Sequence, residues 1–252
     1  MSVEKLIGLG IVVICVALVF LFSILKRPGT SLRTIPAVQK LRRAIGLAVE
    51  DGKRIHVSLG NANVLEPQGA SALVGLSVLE RLAEVSTVSD KPPVATSGEG
   101  SLALLSQDSL RSVYRESNQL EQYNQHLGRL AGPTSFSYIA GSLPVIKDEE
   151  VYTNVLIGHF GPEAGLMCEE AERTNGFSLA ASDSLPAQAV FFAAAQEPLI
   201  GEELFALPAY LQSSPMHQAS VRAQDVVRGV LIGVLVLGGL ARLVLAFLGT
   251  GF

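Results

Sequence analysis

Tryptophan is absent from this 252-residue chain, cysteine occurs twice and histidine four times. Cys15 lies inside an apolar run and Cys168 far away in a helical pattern, so no disulfide framework exists. No CxxC or HxxEH pattern supplies a ligand set, and no metal is expected. GxxxxGK[ST] does not occur, which removes the phosphate-cradling P-loop. GxSxG is missing too; "AGSLP" and "EGSLA" do not make a nucleophile elbow. From Asp51 to Pro215 there are 20 acidic residues against 9 basic ones. With neither a basic stripe nor tryptophan, nucleic acid is not expected as a partner.

Long apolar runs, by contrast, stand at both ends. Leu6–Leu25, "LIGLGIVVICVALVFLFSIL", carries no charge over 20 residues, enough to cross the hydrocarbon core as a helix. Lys26, Arg27 and Pro28 end it where a cleavable leader would show small residues, so an uncleaved anchor is favoured over a signal peptide. A second run extends from Gly229 to Ala241 and, past Arg242, to Leu248. Gly229 and Gly233 stand in GxxxG spacing, which suits either packing against the first span or dimerisation. Arg242 can snorkel to the interface. Between Lys26 and Glu50 there are 6 basic residues and 1 acidic one, whereas only Lys5 precedes the first span. The positive-inside rule then gives a two-pass protein of the cell (inner) membrane, with a cytoplasmic soluble domain and both termini outside. The basic segment is placed to meet anionic membrane lipids.

The organisation expected is an anchor over 1–26, a basic juxtamembrane segment and helix over 27–52, a cytoplasmic α/β domain over 53–213, and a linker with the second span over 214–252. Ile35–Val49 has helical spacing with Pro36 in its first turn, and either packs on the domain or lies along the membrane. Strand-like runs follow: "RIHVSLG", "PPVATSG", "SFSYIAG" at Ser135–Gly141, "YTNVLIG" and "FSLAAS", each before a helical pattern. The stretch from Ser101 to Leu130 is expected as one long helix along an edge, with a gap in its apolar stripe at Glu116 and Ser117. A short acidic helix is expected near Val145–Val151. Alternation of this kind gives a three-layer α/β domain with a mostly parallel, Rossmann-like sheet of five or six strands, flanked by an N-terminal and a C-terminal transmembrane helix.

Ligands of open parallel sheets bind beyond the carboxyl ends of the strands. The candidate ligand residues there are Gly60, Asn61, Gly98, Glu99, Ser101, Gly158, His159, Gly161 and Glu163. Asn63, Ser97, Gly100, Gly141, Ser142, Ser182, Asp183 and Ser184 belong to the same expected rim. "GEGSLA" lacks the third glycine of the dinucleotide fingerprint, and "GHFGPEAG" spaces its glycines as GxxGxxxG. No motif names a cofactor. His159 and Glu163, four apart, would share a face on a helix, although Glu163 after Pro162 equally suits a helix first turn. His56 reads as a buried strand residue, and His126 and His217 as surface or linker residues.

The stretches "LRTIPAVQKLRRAIGLAVEDGKRIHVSLG" and "LIGHFGPEAGLM" resemble a family of uncharacterised bacterial membrane proteins, a domain of unknown function. The resemblance runs from the first basic segment to the second span and brings no catalytic residues. Two classes of function remain. One is a membrane-anchored binding or scaffold module that forms a homo-oligomer or joins a membrane complex, with a small ligand expected at the glycine-rich rim. The other is an enzyme using Glu99, His159, Glu163 or Asp183 for acid–base work, with or without a divalent ion. The first is favoured, because no complete catalytic constellation is present.

Overall fold

The computed structural model describes residues 3–24, 34–211 and 215–247. Expectations resting on Lys26, Arg27, Pro28, Arg33 and the last residues of the chain lie outside these. Two compact units result, one of residues 33–211 and one made from the two ends of the chain.

The first unit is built on a six-stranded, all-parallel sheet: β1 (Arg54–Gly60), β2 (Val94–Ser97), β3 (Gly128–Leu130), β4 (Val151–His159), β5 (Phe177–Ser182) and β6 (Glu197–Leu199). Their order is β3-β2-β1-β4-β5-β6. Side chains alternate across the sheet. Ile55, Val57, Leu59, Val155 and Ile157 face one core with α2 (Pro36–Glu50), α3 (Gly69–Ser86), α4 (Gly100–Glu116) and α8 (Glu203–Leu211). Leu156 and Ala180 face the other, with α5 (Ser135–Asp148), α6 (Gly165–Arg173) and α7 (Leu185–Ala194). Both faces are covered, which is why the strands read as nearly continuous apolar runs.

Of the two placements open to α2, the structure shows packing on the sheet. Ile35, Val38, Leu41, Ile45 and Ala48 enter the core, and Thr153 donates to the Ala44 carbonyl at 3.1 Å. The helix set apart by the sequence reading thus belongs to the same unit as the strands.

Three expectations are corrected. The long helix over Ser101–Leu130 ends at Glu116, where Asn118 takes the left-handed conformation at φ 55°, and the chain returns through two short 3-10 turns to β3. The gap in its stripe at Glu116 and Ser117 is the helix end; asparagine tolerates the left-handed region that stops a helix. Ser135–Gly141 is not a strand but the start of α5, where Thr134 and Ser137 form a reciprocal capping box. "SFSYIAG" alternates like a strand, yet Phe136 is exposed, while Tyr138, Ile139, Ser142, Val145 and Ile146 are buried at helical spacing. Gly141 and Ser142 therefore lie inside a helix rather than at the rim. Residues 145–148 finish the same helix and Val151 already opens β4, so no separate acidic helix exists there.

The second unit contains α1 (Val3–Ile24) and α9 (Pro215–Phe247), where the Ser23 hydroxyl meets the Met216 sulfur at 3.2 Å. Met216–Val244 is long and apolar enough to cross a membrane; the described apolar part of α1, Gly8–Ile24, falls short of that length.

Candidate functional site at the carboxyl edge

β1 and β4 are neighbours whose connections leave in opposite directions, which makes their carboxyl ends the topological switch point of the sheet. The strand ends are knitted together by backbone. Gly98 N donates to Gly60 O at 2.8 Å, Asn61 N to His159 O at 3.1 Å, and Ala131 N to Ser97 O at 2.9 Å. The Asn61 side chain adds a bond from Nδ2 to Ser135 Oγ at 3.1 Å. The register slips between Ser58 and Gly60, so the ends of β1 and β4 bulge around each other. Gly60 has φ 77°, and a Cβ there would overlap the His159 carbonyl; one on Gly158 would overlap the Leu59 carbonyl. Both glycines are thus required by the backbone itself.

Beside this bulge, His159 Nδ1 lies 2.7 Å from Asp183 Oδ1, both side chains partly exposed. A carboxylate only accepts, so Nδ1 carries the proton and Nε2 is left as the ring's basic nitrogen. Ser182 holds the pair in place: its hydroxyl accepts from Phe160 N at 3.3 Å and Ser184 N at 3.2 Å, tying the end of β4 to the end of β5. Asp183 is the partner that the sequence reading did not assign to His159. Only strand pairing brings residues 24 apart together, and β4 and β5 are adjacent in sequence and in space.

The other candidate residues are differently engaged. Glu99 caps α4, accepting from Leu102 N at 3.1 Å and from the Ser101 hydroxyl. Burial pushes its carboxyl up, but the bonds from Ser101, Leu102 and Gly100 outweigh that and the net shift is downward. Glu163 folds back over Gly161 in a 3-10 turn, while His159 ends a strand; they share no helix face. Gly60, Asn61, Gly98, Gly158 and His159 are brought together; Glu99 and Ser101 are bonded to each other at the start of α4.

In dinucleotide-binding sheets of this order, the helix after β1 presents free amides to a pyrophosphate. Here the connection 61–68 folds on itself, with Glu66 N donating to Asn63 O at 3.1 Å and Leu65 N to Asn63 Oδ1 at 2.9 Å. A Cβ on Gly69 would lie 2.5 Å from Val64 O and 2.6 Å from Asn63 O. Carbonyl oxygens are packed against the first turn of α3, where an anion would need donors. Among the described residues no three His, Cys, Asp or Glu side chains gather as a metal site would require. A surface cleft of about 620 Å³ lies away from this edge, between α4 at Gln107 and Arg111 and the segment bearing Tyr123 and His126.

Residues 1–251 match the family described as Domain of unknown function (DUF6754). The chain belongs to that family. No curated protein and no solved structure matches it.

Beneath its carboxyl edge, this DUF6754 chain carries a buried polar strip that sequence reasoning saw only as one buried histidine. His56 Nδ1 donates to Asn154 Oδ1 at 2.5 Å, and Nε2 accepts from Thr96 Oγ1 at 2.8 Å. Asn154 Nδ2 in turn donates to Met167 O at 3.4 Å. Tyr138 bonds Ser58, and its hydroxyl accepts from Gly60 N at 3.2 Å, linking the strip to the bulge. Burial holds the His56 pKa down at about 4, only partly offset by the bond to Asn154, so the ring is neutral. Every member found a partner, as buried polar groups must.

Proposed function

We propose that this protein is a membrane-anchored α/β binding or scaffold module that self-associates or joins a membrane complex. It is held by two transmembrane helices in the cell (inner) membrane, with the sheet-bearing unit in the cytoplasm and both termini outside, as the distribution of Lys and Arg favours. The observation carrying the reading is the closed β1–α3 connection: beside the helix start where enzymes of this sheet order seat a phosphate, the Asn63 and Val64 carbonyls pack against Gly69 and the Gly69 amide is taken up by Glu66 O. Assembly is supported by α9, where a Cβ on Gly229 or Gly233 would meet nothing within 4 Å, leaving a smooth strip open to another helix.

A second reading rests on the His159–Asp183 pair. A carboxylate-oriented imidazole is a general base in form, so a membrane-bound enzyme working on a small ligand at the rim would use Nε2 of His159. Native mass spectrometry of the full-length protein, gently extracted from membranes, separates the two. The module is expected as a defined oligomer, or together with another subunit, with no added mass. A monomer carrying a reproducible small-molecule mass, lost in His159→Ala, would replace the first reading with the second.

A further inference from the structure

All six connections from strand to helix lie at the carboxyl edge, because every strand is parallel. These connections hold five acidic residues, Glu66, Glu99, Glu163, Asp183 and Glu202, and not one Lys or Arg. Lys53 and Lys91 lie in connections at the opposite edge, and Arg54 opens β1 there. Acids at helix starts are ordinary, since they complement the helix dipole. That accounts for part of the charge but not for the apolar side chains that accompany it. Leu65 is 94% exposed, Leu185 77% and Phe136 75%, and each sits in or within two residues of a different connection. Leu166 and Ile200 add two more exposed apolar side chains in or beside two further connections. Single exposed leucines need no explanation. Here five connections out of six carry one, on an edge whose connections hold no Lys or Arg, and exposed apolar side chains gathered in this way mark interaction surfaces.

We propose that the carboxyl edge of the sheet is a docking face for a polypeptide segment that presents apolar side chains between Lys and Arg residues. This rests on the binding-module reading and names the partner's chemistry. The apolar side chains would take up the partner's, and the acids would select its charge and steer its approach. An anionic lipid surface has the wrong sign, since the connections here offer it carboxylates and no Lys or Arg.

The test uses the full-length protein in neutral-lipid nanodiscs and a labelled short peptide alternating leucine with lysine and arginine, read by fluorescence anisotropy. The controls are the same peptide with glutamate at its basic positions and phosphatidylserine-containing vesicles. The basic peptide should bind, the acidic one should not, and affinity should fall as salt rises. Leu65→Ser, Phe136→Ser and Leu185→Ser combined should weaken binding about a hundredfold, given three lost anchors. Glu66→Lys with Glu163→Lys should weaken it about tenfold. Val88→Ser, exposed at the other edge, should change nothing. All these side chains lie at least partly in solvent, so unchanged thermal unfolding shows the fold intact. Equal binding by the rim variants, preference for the acidic peptide, or binding of vesicles through this edge overturns the proposal. Assembly in native mass spectrometry that ignores the rim substitutions overturns the docking face alone. A monomer without partner overturns the module reading as well.

Discussion

His56 pairs with Asn154 and His159 with Gly60 in the register of β1 and β4, yet the two histidines are chemically opposite. His159 is partly exposed and set against a carboxylate; His56 is fully buried and neutral, its charged form opposed by desolvation. The consequence for His56 is a stability that depends on pH. Its folded pKa, about 4, lies below the usual 6.5, so folding favours the neutral ring. The contribution is fully present above pH 6.5 and is lost as pH falls through 4, amounting to about 3 kcal/mol. Urea unfolding of the full-length protein in detergent should show the midpoint dropping across that window, and His56→Gln should flatten the drop. An unchanged slope in the variant would mean that other groups carry the acid sensitivity. The burial of His56 was legible from its place in an apolar strand; its partners Thr96 and Asn154, 40 and 98 residues away, were not.

The bulge that joins β1 to β4 decides what the glycines at the rim are for. Gly60→Ala places a side chain at φ 77° and against the His159 carbonyl, and should cost about 3 kcal/mol. Gly100→Ala, at the first position of α4 with nothing within 4 Å, should be neutral or stabilising by up to about 1 kcal/mol. Thermal unfolding of the two variants side by side checks the contrast. Equal effects would mean that the bulge is not held as described. Both residues belong to "glycine-rich" stretches, and nothing in their spacing separates them; the difference is the backbone across the sheet. At this scale β1, β2, β4 and β5 were legible from their apolar runs, and α2 from its spacing and Pro36. The start of α5 was not, because a capping box followed by alternating residues imitates a strand over one turn and a half. β3 was hidden for a related reason: three residues are too few for a pattern, and pairing with β2 alone makes them a strand.

The whole molecule joins an acidic α/β unit to apolar helices formed by the two ends of one chain. The proposed cytoplasmic placement of that unit can be tested with one engineered thiol. Burial pushes the Cys168 thiol up to about 12, so it should stay silent to maleimide. With Cys15→Ser as background, Val88→Cys, 78% exposed, should react with an impermeant maleimide in inside-out vesicles and not in intact cells. Labelling in intact cells would reverse the topology. The sequence by itself determined the class of fold, the apolar ends and the absence of a nucleotide-binding motif, because composition, periodicity and motif are properties of neighbouring residues. Tertiary structure alone decided that His159 faces Asp183, that His56 threads a polar strip through the sheet, and that the Asn63 and Val64 carbonyls pack against Gly69 at the start of α3. Those depend on strand order and register, which bring together residues that the chain keeps tens of positions apart.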